Sequence, residues 1–142
     1  MKIVFCSSAS FYEHVNRLAD ELEQLGHESI VPDSAEKMKK SGNYDVASHK
    51  TWYDNPDDYT QKRALMDGHF KKVTEGDAIL VVNDDKHGQA GYIGPNALME
   101  MAVAYYLKKP IYILNNVPKD SSIFEEVVGM GCVLLDGDLS KI

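Results

Sequence analysis

Residues 77–115 read DAILVVNDDKHGQAGYIGPNALMEMAVAYYLKKPIYILN, and the architecture follows from them. Ala78–Val82 is a short apolar run, which predicts a buried strand ending in the polar mouth Asn83-Asp84-Asp85. A connection carrying Gly88, Gly91 and Gly94 follows. A helix is predicted from about Gly94-Pro95-Asn96 to Lys108, and Ile111–Leu114 predicts a second strand directly after it. Strand, helix and strand together make one β–α–β unit.

The helix is unusual in composition. Between Ala97 and Leu107 every residue is apolar or aromatic except Glu100. Such a helix is expected to be buried between layers. A carboxylate on it is costly unless it is paired, faces a cavity, or is used. Helical side chains lean toward the N-terminus, so Glu100 is expected to lean over Asn96 and Ala97, toward the loop and the strand ends. Ligands bind at those ends in open parallel sheets. The plainer alternative places Glu100 on a thin solvated stripe or in an ion pair. Asn96, four residues before it, and Lys108, eight after it, are the only polar residues there to share such a stripe.

Working outward, Lys2–Cys6 predicts a first buried strand, and Phe11, Val15, Leu18, Leu22 and Leu25 recur at helical spacing up to Gly26. A second short strand follows within His27–Pro32, giving a second β–α–β unit. Tyr59–Glu75 reads as a helix with Leu65, Met66, His69, Phe70 and Val73 on one side. Asp120–Val128 predicts a short helix and Cys132–Leu135 a last strand. Asp33–Asp58 is the least regular part, a long polar segment expected to be functional or to hold a short helix. Its Trp52 and Tyr53 offer faces for a planar base, or simply pin the segment to the body.

Five strands with intervening helices imply an α/β fold: a doubly wound parallel sheet with helices on both faces and the flavodoxin-like order 2-1-3-4-5. The switch point then lies between strands 1 and 3. Ser7, Ser8 and Ser10, at the turn from the first strand into the first helix, come to lie beside Asn83-Asp84-Asp85, with Glu100 leaning into the same crevice. One of Ser8 and Ser10 is expected to serve as the helix N-cap. The others are free to hold a phosphate or carboxylate at the helix N-terminus.

The whole chain, 1–142, is read as a single domain with a real core. Its net charge is −7 and its pI about 5.1, which argues against nucleic acid as the main partner but leaves room for a small anionic ligand in a local pocket. No apolar run approaches a membrane span, and MKIVFCSS is read as a first strand, not a signal peptide. Cys6 and Cys132 are expected three strand spacings apart, roughly 14 Å, too far for a disulfide. Both are read as reduced and buried, as suits the cytoplasm. GxGxxG and GxxxxGK[ST] motifs are absent, and no cofactor is expected. No metal site is expected either: there is no Cys/His cluster, Asp67 and His69 lack ligand spacing, and His69 is read as a helix-face residue.

The run from Asp77 to Asn115 resembles the nucleoside 2-deoxyribosyltransferase-like superfamily, which includes nucleoside and nucleotide N-glycosidases. The resemblance rests on the strand ending in Asn/Asp, the Gly-rich loop, Glu100 in the second turn of the helix, the patch Ala102–Tyr106, and Lys109-Pro110-Ile111 before the next strand. It is weaker over Lys2–Gln24. It implies that Glu100 is a nucleophile that attacks the anomeric carbon of a (deoxy)nucleoside or nucleoside 5′-monophosphate and displaces the base. Water or a second base would then resolve the glycosyl-enzyme. Asp84 and Asp85 become the candidates for protonating the leaving base. Asn83, Tyr92, Gly94 and Asn96, with Ser7, Ser8 and Ser10, become candidate substrate contacts. Tyr92 or a sugar hydroxyl is expected to set the pKa of Glu100, and a homo-oligomer is implied. The chain departs from the superfamily in having no acid between Lys86 and Met99. Two other readings stay open: a catalytically inactive nucleotide-binding module of the same fold, and a flavodoxin-like regulatory domain.

Overall fold

The computed structural model describes residues 1–142. Its centre is one parallel sheet of five strands: β1 (Lys2–Ser7), β2 (Glu28–Ile30), β3 (Ala78–Val82), β4 (Ile111–Ile113) and β5 (Val133–Leu134). They lie in the order β2-β1-β3-β4-β5. β1 and β3 are the central pair, in register from Ile3 opposite Ala78 to Ser7 opposite Val82. Every residue of β3 is buried, as expected of a strand covered on both faces.

Side-chain alternation along these strands divides the core in two. Ile3 and Phe5 of β1, with Ala78, Leu80 and Val82 of β3, pack against Val15, Leu18 and Leu22 of α1 (Tyr12–Gln24). Val4 and Cys6, with Ile79 and Val81, face the opposite way. They meet Val73 of α4 (Tyr59–Glu75), Met101 and Ala104 of α5 (Pro95–Tyr106), and Val127 of α6 (Phe124–Gly129). Cys6 therefore points toward the two helices that carry His69 and Glu100.

The segment 33–58 is more regular than its sequence suggests. It forms α2 (Asp33–Ser41) and α3 (Val46–His49), then single 3-10 turns at Thr51–Tyr53 and Pro56–Asp58. Pro32 precedes α2, acids stand in its first turn and lysines in its last, matching the helix dipole. Its few apolar residues suffice: Ala35 and Met38 are buried, and Asn16 of α1 donates to the carbonyl of Ala35 at 3.0 Å. Trp52 is also buried, so it pins this segment to the body.

α5 differs from expectation on its outer side. Its buried stripe is Ala97, Glu100, Met101 and Ala104, the i, i+3, i+4, i+7 pattern of a helix against a sheet. Met99, Ala102, Tyr105 and Tyr106 are exposed. The helix covers the sheet with one face only, so the residues between the stripe positions remain outside although they are apolar.

Candidate active site

A cavity of about 460 Å³ opens at the carboxyl ends of β1 and β3, within the range usual for small-molecule sites, roughly 300–1,000 Å³. Ser7 and Ser8 enter it from the end of β1, and Tyr12 from the first turn of α1. His69 and Lys62 come from α4, Tyr92 and Gly94 from the Gly-rich connection, and Asn96 and Glu100 from α5. Trp52 and Lys50 close it from the segment between α3 and α4.

Glu100 occupies a position on α5 where the packing stripe calls for an apolar residue, and it is only 8% exposed. No protein N–H or hydroxyl donates to its carboxylate. His69 Nε2 stands 3.7 Å from its Oε2, and the Cys6 thiol lies within 4.8 Å of the same group. Burial pushes the Glu100 pKa from 4.5 to about 7, against smaller opposing effects of the Cys6 thiol and of Lys62. Tyr92 plays no part in this shift, contrary to the expectation from the sequence. Glu100 in turn raises its neighbours: burial first, and its negative charge second, hold the Cys6 thiol and the Tyr12 phenol well above their ordinary values.

His69 is buried, and its pKa falls to about 4, chiefly through burial and then through Lys72. It is therefore neutral near pH 7. Its Nδ1 is sealed from solvent and has no hydrogen-bond partner. The sequence reading places His69 on one side of the helix with Val73, and these two are the buried residues of α4; the burial of His69 beside the cavity lies outside that reading.

The sequence candidates separate into two groups. Ser7, Ser8, Tyr92, Gly94, Asn96 and Glu100 all line the cavity. Ser10 is exposed and lies outside it. Asn83, fully buried, is turned toward β4: it accepts from the Asn115 N–H at 2.8 Å and donates to the Asn115 carbonyl at 2.9 Å. Asp84 pairs with His14 Nδ1 at 2.7 Å and accepts from the Asn115 amide at 3.3 Å. Asp85 accepts the Gly91 N–H at 3.1 Å. The side chains of the polar mouth of β3 thus tie it to the end of β4, to α1 and, through Asp85, to the Gly-rich connection. Gly91 has φ +60°, and a Cβ there would lie 2.3 Å from the Asn116 carbonyl oxygen, so only glycine fits.

Charge in the cavity runs against that of the molecule. Four half-buried lysines, Lys50, Lys62, Lys72 and Lys86, line it, against two carboxylates, Asp33 and Glu100. Lys72 is paired with Asp33 at 2.5 Å, whereas Lys50, Lys62 and Lys86 have no ion-pair partner. Burial and the charge of Lys50 lower the pKa of both Lys62 and Lys86. Lys86 donates to Ser8 Oγ at 2.8 Å and sits 5.3 Å over the Tyr92 ring.

No protein-family model matches the chain, and no curated protein matches its sequence. Its fold does match a solved structure, the 2-deoxyribosyltransferase of the psychrotolerant bacterium Bacillus psychrosaccharolyticus, with a TM-score of 0.54. The match covers 87% of this chain and 78% of that one, at 15% sequence identity. The chain therefore has a nucleoside 2-deoxyribosyltransferase-like fold, and at this identity the likeness speaks for the fold alone.

Proposed function

We propose that this deoxyribosyltransferase-like fold cleaves, or transfers at, the N-glycosidic bond of a nucleoside or nucleoside 5′-monophosphate, with Glu100 as nucleophile. The observation that carries the reading is the buried Glu100 carboxylate, lining the cavity with no N–H or hydroxyl of the protein donating to it. A carboxylate so placed can approach an anomeric carbon. One of its oxygens bonds to C1′ as the C1′–N bond breaks, and the departing base takes the electron pair. An adjacent carboxylate stabilises the oxocarbenium-like transition state and can trap the sugar as an ester. Water then attacks C1′ and releases the sugar, or a second base attacks and completes transfer.

Glu100 must be ionised to act. With its pKa near 7, base release should rise with pH through about 7 and then level off. Because Asp84 is paired with His14 and Asp85 accepts the Gly91 N–H, the charge developing on the base falls to the lysines and to solvent. The three unpaired lysines, with Ser7 and Ser8, favour a substrate bearing a phosphate over a neutral nucleoside. Exposed Met99, Tyr105 and Tyr106 on α5 favour a homo-oligomer, and two free cysteines accord with a cytoplasmic setting.

Incubation with a panel of nucleosides and 5′-monophosphates, with free base read by chromatography, tests the reading. Release is expected for at least one monophosphate, and Glu100→Ala and Glu100→Gln should abolish it. Release that survives both substitutions would remove Glu100 as nucleophile. Tight nucleotide binding without release would favour the inactive binding module, a reading supported by the absence of a second free carboxylate beside Glu100.

A further inference from the structure

The side of Glu100 that faces the sheet carries a second arrangement. Cys6 from β1, His69 from α4 and Glu100 from α5 bring one ligand atom each to within 4.8 Å of one another. Cys6 Sγ lies 3.7 Å from His69 Nε2, and His69 Nε2 lies 3.7 Å from Glu100 Oε2. Tetrahedral zinc, with bonds of about 2.0–2.3 Å to sulfur, nitrogen and oxygen, holds its ligand atoms roughly 3.4–3.6 Å apart. Shifts of a few tenths of an ångström would bring these two separations to those values, and the Cys6 and Glu100 ligand atoms, within 4.8 Å of each other, would draw together around the ion.

The three groups are also free to ligate. All are buried, their side-chain contacts are chiefly with one another, and the thiol's one backbone contact, to the Val4 carbonyl, is 4.0 Å long. Thiolate, imidazole and carboxylate together suit a borderline divalent ion such as Zn²⁺ rather than Mg²⁺ or Ca²⁺, which take oxygen ligands. His69 and Glu100 line the cavity while Cys6 sits behind them, so a fourth coordination position would open toward the ligand space.

We infer that Cys6, His69 and Glu100 form a three-ligand site for Zn²⁺ or a closely related divalent transition ion, which masks the Glu100 carboxylate while bound. On binding, the Cys6 thiol releases its proton to solvent, and imidazole and carboxylate donate lone pairs. The ion and a glycosidic substrate then compete for the same oxygen. Ion binding itself goes beyond the glycosidic reading and does not depend on it.

Co²⁺ is the probe, titrated into the chelator-stripped chain 1–142. The expected result is one equivalent bound, with a thiolate-to-cobalt charge-transfer band, visible bands of a four-coordinate ion, and displacement by Zn²⁺. Cys6→Ser should abolish the charge-transfer band. His69→Gln and Glu100→Gln should each weaken Co²⁺ binding by at least about 100-fold, the upper end of losses seen for residues that merely support a ligand. Cys132→Ser should change nothing. Absence of the band in the wild-type chain, its persistence in Cys6→Ser, or its loss in Cys132→Ser would overturn the assignment. The wild-type and Cys132→Ser chains decide the matter if another variant does not fold. In a parallel assay, Zn²⁺ should slow base release by the wild-type chain. A cobalt band without base release from any substrate would sink the glycosidic reading and leave the metal site standing. Base release without a cobalt band would do the reverse.

Discussion

Glu100 is held where ionisation is expensive, and that has a measurable thermodynamic sign. Its folded-state pKa, about 7, lies above its ordinary 4.5, so its contribution to stability is whole below about 4.5 and is lost as the pH rises through 7. A shift of this size corresponds to something on the order of 3 kcal/mol. Glu100→Gln keeps the shape and removes the charge. The variant should match the wild type in urea unfolding near pH 4.5 and exceed it by about that amount above pH 8. Equal stability at both pH values would mean that the carboxylate ionises at little cost. His69 has the opposite slope: its depressed pKa, about 4, supports the fold above 6.5, and that support fades as the pH falls through 4. Glu100 was legible from sequence because an acid stands alone on an apolar helix. Cys6 and His69 were not, since each looks ordinary within its own segment and only the docking of α4 and α5 onto one face of the sheet joins them.

At the scale of elements, the end of β3 and the connection to α5 form one brace. The Asn83 amide bonds both polar groups of the Asn115 backbone, replacing the ladder that would otherwise continue between β3 and β4. Asn83→Ala leaves the half-buried Asn115 N–H and carbonyl without these partners, at a cost of about 1 kcal/mol or more, readable as a lower urea midpoint. An unchanged midpoint would show that the backbone repairs itself. The strand–loop–helix pattern was visible in the sequence because apolar runs and glycines punctuate it. The direction in which Asn83, Asp84 and Asp85 turn was not. A polar residue at a strand end serves the crevice or the neighbouring strand equally well in one dimension, and the choice is made by the reach to Asn115, His14 and Gly91. The helices of segment 33–58 were hidden for a similar reason. α2 is stabilised by the flank of α1 rather than by a strong apolar pattern of its own.

For the whole molecule, charge and oil are both distributed against the average. A chain of net charge −7 gathers three unpaired lysines around one cavity. A nucleoside 5′-monophosphate should therefore raise the melting temperature more than the same nucleoside, and added salt should shrink the difference. Equal shifts would assign the lysines to another task. On the outside, Tyr106 is 81% exposed, next to Tyr105 and about two turns from Met99 on the same flank of α5. Tyr106→Glu should convert an oligomer to monomer in light scattering, and a wild-type chain that is already monomeric would dispose of that interface. The strand order has a further consequence, in the time domain of synthesis. β1 can pair with β2 once residue 30 has emerged, but the flank that receives β3 has its partner only when residues 78–82 appear. At roughly 5–20 residues per second the ribosome leaves that flank bare for several seconds. During that interval the nascent chain carries its oiliest edge open to any passing strand, which makes β1 the place where translation speed and chaperone capture would first be felt.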